Sequence, residues 1–351
     1  MTGPRRWRLW LLVIAILAPA CVESEPATGR PDTAHLIERS RVTMGSLLTL
    51  TAWTADEPAA LTAFEAVFDE FDRLDALMSV WKDDSDIVRL NQAAGRMPVP
   101  VHEDVRSVLQ TAIQIGDWTA GKFDVTFAAL ADVWKFDHDQ DNRVPSAAAI
   151  TARLPLIDYS QIVIDHAAGT AFVRRAGMRV HLGGIGKGFA VDRGVRLLRS
   201  RGLSDFMIQS GGDMYIAGRH GERPWRVGIR DPRGPEGSTF ATLEVTDVAV
   251  GTSGDYERFF IKDGRRYHHL LDPDTGQPAR AIRSVTVIAQ RAVTADALGT
   301  GVFVAGPQAG MKVLERMEGV QAVIVTAAND VIVTPGLRGS LALLAQPTDA
   351  P

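Results

Sequence analysis

Between Gln161 and Ala289 the chain reads "QIVID" (161–165), "TAFVRR" (170–175), "DFMIQ" (205–209), "WRVGI" (225–229), "TLEVT" (242–246), "RFFIK" (258–262), "YHHLL" (267–271) and "SVTVIA" (284–289). Short β-branched and aromatic runs divided by turn residues are strands. Helical spacing interrupts the series after Lys187, around Ala292 to Phe303 and from Gln308 to Met317. Strands that follow one another with few helices between them predict an α+β fold with antiparallel sheets and flanking helices, not a doubly wound one. No fixed-period repeat is present.

Outward from this region, "RVTMGSLLTLTAW" (41–53) alternates like a further strand. Pro58 suits the first turn of a long helix, and Leu61, Phe64, Val67, Phe71, Leu74 and Met78 recur at spacings of three and four, so they form its core face. A second helix is expected from about Glu103 to Trp118, stopping at Gly121. The run "DHDQDN" (137–142) starts like a calcium loop but lacks the glycine and closing glutamate, so it reads as a solvated loop.

At the N-terminus Arg5, Arg6 and Arg8 precede an apolar run from Leu9 to Ala18, then Pro19, Ala20 and Cys21. That is the layout of an export signal, too short to span a bilayer. Arg8 breaks the apolar stretch that a twin-arginine signal needs directly after its arginines. Cys21 is the only cysteine, and its place after a small residue suits lipid attachment; a plain secretory signal with an incidental cysteine is the alternative. A lipid chain would hold the protein to a membrane without a spanning helix, and "VESEPATGRP" (22–31) suits a flexible tether. The expected division is a signal peptide at 1–20, a lipid-attachment cysteine and tether at 21–34, one domain at 35–340 and a flexible tail at 341–351.

Removing residues 1 to 20 takes away three arginines and no acid, leaving 35 basic against 42 acidic residues and a net charge of −7. Nothing in this balance calls for a nucleic-acid partner.

Three stretches carry chemistry. In "HLGGIGKGFAVDRGVRLLRS" (181–200) the glycines leave backbone groups open, and the helix start beyond them favours phosphate. A P-loop would need Gly at 181 and Ser or Thr at 188, where His181 and Gly188 stand; a dinucleotide fingerprint would need Gly where Phe189 stands. A tight structural turn stays open as the alternative. In "TADALGT" (294–300), Asp296 and Thr300 project from one helical face and can share a hard cation, or serve only as local caps. In "YHHLLDPDTGQP" (267–278) the two histidines face opposite sides of a strand, so one can reach a cleft as a general base while the other packs. "SGGDMYIAG" and "TSGDYERFF" add loops tipped by Asp213 and Asp255.

Together "TMGS" (43–46), "MSVWKDDSDIVRLN" (78–91), "GKFDVTFAAL" (121–130), "LGGIGKGFAVDRG" (182–194), "SGGD" (210–213), "TSGDYERFF" (252–260), "HHLLDPDTGQP" (268–278) and "SVTVIA" with "TADALGT" (284–300) resemble, in order and spacing, the ApbE family of FAD:protein FMN transferases over roughly residues 40 to 335. The resemblance implies a two-lobed α+β fold, FAD as donor in a cleft between the lobes, and magnesium. It implies FAD contacts at Met44, Trp81, Lys122, Phe123, Asp124, His181, Lys187 and Leu270. Metal ligands are implied at Asp296, Thr300 and the carbonyl of Gly184, with Asp296 also counted as catalytic beside His269. It further implies an acceptor protein, among membrane-linked redox subunits, whose Thr or Ser receives FMN as AMP leaves. An FAD pyrophosphatase and a non-catalytic FAD-binding lipoprotein are the alternatives. Two positions depart from the family. Trp81 stands where a tyrosine is frequent and keeps an aromatic face. His181 stands where Asp is usual; it can replace an acid's hydrogen bond only as a neutral acceptor, which implies FAD affinity falling at mildly acid pH.

Overall fold

The protein is described by a computed structural model covering residues 33–350 except His138; the expected signal peptide, Cys21 and nearly all of the tether lie outside the described residues. Residues 34–350 pack as one unit.

Strands β1 (His35–Thr43) and β2 (Ser46–Thr54) form a hairpin whose two-residue turn, Met44 and Gly45, has φ of 49° and 70°. Positive φ at both positions matches the strand twist; Gly45 adopts it freely, whereas Met44 holds a conformation few side chains tolerate. Helix α1 (Glu57–Met78) is capped by Asp56, which accepts from the Ala59 N–H at 3.0 Å, and Pro58 lies in its first turn. Its inner face buries Phe64, Val67, Phe71, Leu74 and Met78 as expected, with Leu61 packed at the margin.

The chain continues through α2 (Asp86–Gln92), β3 (Val99–Pro100), α3 (Glu103–Trp118), a 3-10 turn at Val125–Leu130, α4 (Ala147–Thr151), β4 (Ile162–Asp165) and β5 (Thr170–Val173). Next come α5 (Gly186–Ser200), β6 (Phe206–Ser210), β7 (Asp213–Ala217), β8 (Trp225–Arg230), β9 (Thr239–Val245), β10 (Val248–Gly254), β11 (Phe259–Lys262) and β12 (Arg265–His268). Last are β13 (Ile282–Ala289), α6 (Ala292–Ala305), α7 (Pro307–Leu314), β14 (Gln321–Thr326), β15 (Val331–Val333) and β16 (Leu341–Leu343).

Eight strands make one sheet in the order β1-β2-β6-β7-β10-β13-β14-β15, with every neighbouring pair antiparallel. The α+β class with antiparallel sheets is therefore what the chain adopts. Helices α1, α5 and α6 cover one face of this sheet. The small sheet β16-β9-β8 covers part of the other through Trp225, Val227, Ile229, Phe240 and Leu243. Strand β13, covered on both sides, is buried at every residue, which is why it reads as a nearly continuous apolar run. Helix α6 is buried on almost every face, as expected of a helix apolar all round. Among the described residues no helix is long and apolar enough to cross a membrane.

The expected flexible tail is corrected for residues 341–350. Leu341 and Leu343 extend the small sheet beside β9. Thr348 donates through its N–H (3.0 Å) and hydroxyl (2.7 Å) to Asp231, and Arg283 reaches the Thr348 carbonyl (3.2 Å) and the Asp349 carboxylate (3.0 Å). These partners lie far away in sequence, so no local pattern announced them.

Candidate functional site

Helices α5 and α6 meet at the glycines of the 183–188 stretch. A Cβ on Gly188 would sit 2.4 Å from the Ala292 carbonyl oxygen and 2.8 Å from the Asp296 Cβ, so only glycine permits this approach. Helix α5 starts without a side-chain cap of its own. The N–H of Gly188, one of the groups a helix start leaves unpaired, donates to Asp296 Oδ2 at 2.9 Å. In return the Asp192 carboxylate of α5 accepts from the N–H groups of Ala292 (2.8 Å) and Val293 (3.3 Å), which caps α6 from the neighbouring helix. Burial holds the Asp192 carboxyl above its usual pKa, although these N–H donors pull it down.

Beside this junction lies a cavity of about 420 Å³, within the range of small-ligand sites. Trp81, Lys122, Phe123, Asp124, His181, Gly184, Lys187, His269, Leu270, Asp296 and Thr300 all stand on its wall. Met44 does not; Gly45 and Ser46 of the same turn do, while the Met44 Cε lies 3.7 Å from where a Gly186 Cβ would be.

Several side chains are already engaged. The Lys122 ammonium is held by Asp272 and Asp274 at 2.8 Å each; burial opposes its charge, but the two carboxylates prevail and raise its pKa. Asp124 accepts from Thr126 N–H (2.7 Å), Thr126 hydroxyl (2.6 Å) and Tyr159 N–H (2.9 Å), so its carboxylate caps the 3-10 turn. Burial still pushes its carboxyl up to about 6. Trp81 is 59% exposed at the mouth.

His269 is half-buried and bonds through Nδ1 to the Arg258 carbonyl at 3.3 Å. Because a carbonyl only accepts, this contact places the proton on Nδ1 and leaves the Nε2 lone pair free. Burial, assisted by the Arg258 charge, lowers its pKa to about 3. His268 faces the other way, buried, with Nε2 2.7 Å from the Ala279 carbonyl and its ring edge-on to Phe303. The two rings point to opposite sides, as the strand alternation predicts.

The His181 expectation is corrected. Its Nδ1 accepts from the Gly183 N–H at 2.9 Å, so the acceptor nitrogen is occupied and the neutral ring carries its proton on Nε2. What it can offer a ligand is a donor. Burial lowers its pKa to about 4, which keeps it neutral at mildly acid pH.

Several wall residues had no assigned part in the sequence reading, Asp213, Ser253, Asp137 and Asp139 among them. Asp213, buried, forms an ion pair with Lys187. Ser253 Oγ lies 3.3 Å from Thr300 Oγ1. Asp137 and Asp139 of the supposedly solvated loop also line the cavity, Asp137 paired with Arg258 at 2.7 Å. The glycine pair before Asp213 was the one legible signal. Asp255 turns away from the cavity into a two-bond pair with Arg233, 2.7 Å for each bond.

The oxygens present suit a hard cation. Among the described residues no three of His, Cys, Asp and Glu gather as a metal cluster, so the donor set is one carboxylate with neutral oxygens. Among the same residues Asp296 makes one hydrogen bond, through Oδ2, which leaves Oδ1 without a protein partner. Thr300 Oγ1 lies 3.5 Å from the position of a Gly184 Cβ, an ordinary contact distance that sets the two residues side by side. A single carboxylate with hydroxyl and carbonyl oxygens fits magnesium, which fills its shell from water and phosphate, better than zinc, which favours nitrogen and sulfur. Burial and the nearby Asp213 charge hold the Asp296 carboxyl above its usual range, while Lys187 draws it down.

Residues 44–324 match the model of the ApbE family. The chain is 32% identical to the FAD:protein FMN transferase of Klebsiella pneumoniae (strain 342), covering 88% of this chain and 89% of that one. It is also 32% identical to the enzyme of the same name from Treponema pallidum (strain Nichols), covering 91% of each. Among solved structures, the ApbE protein of Thermotoga maritima superposes with a TM-score of 0.81 at 32% identity, covering 87% of this chain and 99% of that one. A match that runs through both halves of the cavity wall, with relatives spanned almost in full, shows that the chain belongs to the ApbE family.

Proposed function

We propose that the protein transfers FMN from FAD to a Thr or Ser hydroxyl of an acceptor protein, with magnesium, releasing AMP. The observation that carries this reading is the junction of Asp296 and Thr300 on α6 with the 184–188 stretch at the start of α5, beside a cavity whose wall also holds Lys187 and His269. It brings hard oxygen donors, a cation and a free imidazole lone pair to one place where a diphosphate can lie.

Asp296, Thr300 and the Gly184 carbonyl would hold the magnesium, which when bound neutralises charge on the diphosphate. Lys187 adds a fixed positive charge on the same wall. Trp81 and Phe123 offer aromatic faces for the flavin or adenine ring. The acceptor hydroxyl oxygen bonds to the FMN phosphorus as the bond from that phosphorus to the AMP oxygen breaks. His269 Nε2 takes the hydroxyl proton; with its pKa near 3 in the free protein it is a weak base, and an anionic diphosphate opposite would strengthen it. Positioning and charge neutralisation supply most of the rate.

The test is incubation of the protein with FAD, magnesium and a candidate acceptor. Acceptor that becomes covalently fluorescent supports transfer. Free FMN and AMP would instead mean hydrolysis, and unchanged bound FAD a carrier.

A further inference from the structure

We propose that Asp213 is a positioning residue: it holds the Lys187 ammonium against the start of β7 and so keeps the Asp296 carboxylate open to a divalent cation. The inference rests on the proposed role of Asp296 in holding such a cation.

Among the buried carboxylates of the cavity wall, Asp213 and Asp296 can both attract the Lys187 ammonium. Lys187 adjoins Gly188, whose N–H is bonded to Asp296, and the Asp296 carboxylate lies within its electrostatic reach. Two opposite charges a few ångströms apart in a water-poor cavity attract strongly, and an ammonium on Asp296 would have to be displaced before a metal could bind. The structure shows the other pairing. Lys187 contacts Asp213, and among the described residues no ion pair within 4.0 Å joins Lys187 to Asp296.

The backbone makes this choice rigid. Asp213 opens β7, paired with Ser210 on one side and Gly251 on the other. Gly212 before it admits no side chain, since a Cβ there would sit 2.9 Å from the Thr252 carbonyl oxygen. Gly251 opposite lets α6 approach so closely that a Cβ would lie 2.8 Å from the Ala295 carbonyl carbon. The two carboxylates are thus set on different elements at fixed places, one to take the ammonium and one to take the metal.

The experiment is a titration of the purified full chain with Mn²⁺ alone, free metal being read by its paramagnetic resonance signal. The wild type should bind one ion. Asp213→Asn, close in shape, should weaken binding at least tenfold, because the freed ammonium moves to Asp296. In a Lys187→Met background the same substitution should cost clearly less. Lys187→Met alone should bind at least as tightly as the wild type, which keeps the proposal testable even if the Asn variant does not fold. Unchanged binding by Asp213→Asn, an equal loss in both backgrounds, or weaker binding by Lys187→Met would overturn it. A wild type that binds no Mn²⁺ would remove the cation reading itself, and this inference with it.

Discussion

The Gly188 N–H donates to Asp296 Oδ2 over 2.9 Å, joining residues 108 positions apart beside the cavity. Asp296→Ala removes the proposed carboxylate ligand and leaves that N–H buried without its acceptor. Magnesium-dependent FMN transfer should be lost, while the melting temperature falls only modestly. Full activity with magnesium present would contradict the assignment.

The tight approach at Gly188 predicts a different failure. In Gly188→Ala the new methyl meets the Ala292 carbonyl at 2.4 Å, so α5 and α6 must move apart, at about 1–3 kcal/mol. Urea unfolding should report this loss, and transfer should fall with it because the Asp296 bond is stretched.

Asp192→Ala removes the cap that α5 lends to α6. Two N–H groups at the start of a buried helix lose their acceptor, an expected cost of about 1–2 kcal/mol. Chemical denaturation measures it, and Asp192→Asn should recover part.

His269→Ala should lower kcat by roughly 10²–10⁴, the usual contribution of a positioned base, with FAD affinity little changed. A fluorescence titration of FAD run beside the transfer assay separates the two effects. Equal loss of binding and turnover would point to a packing role.

His181 gives a pH prediction. Its folded pKa of about 4 lies below the ordinary 6.5, so between these values the unfolded chain binds the extra proton. Its contribution to stability is therefore full above pH 6.5 and is lost as pH falls toward 4. His181→Phe should flatten the decline in unfolding free energy across that window. His181 itself should add no change in FAD affinity between pH 7 and 5, because its ring remains neutral.

How much of this was readable in the sequence varies residue by residue. Phe64, Val67 and Phe71 announced the core face of α1 by spacing alone, and "SVTVIA" announced a strand covered on both faces. The "TADALGT" helix and the division between His268 and His269 were legible for the same reason: side-chain direction along a helix or strand follows from local geometry. Lys122 and Asp124 were legible as wall residues but not as residues whose charges are already satisfied by Asp272, Asp274, Thr126 and Tyr159.

By itself the sequence determined the α+β class, the family and part of the cavity wall, because periodicity and ordered motifs survive in one dimension. Only the tertiary structure decided which polar group answers which. It put Lys187 on Asp213, left Asp296 an open oxygen, turned His181 into a donor and bound Thr348 and Asp349 to Asp231 and Arg283. A buried charge or N–H takes the nearest complementary partner in space, and for these residues that partner was usually set by the packing of a distant element.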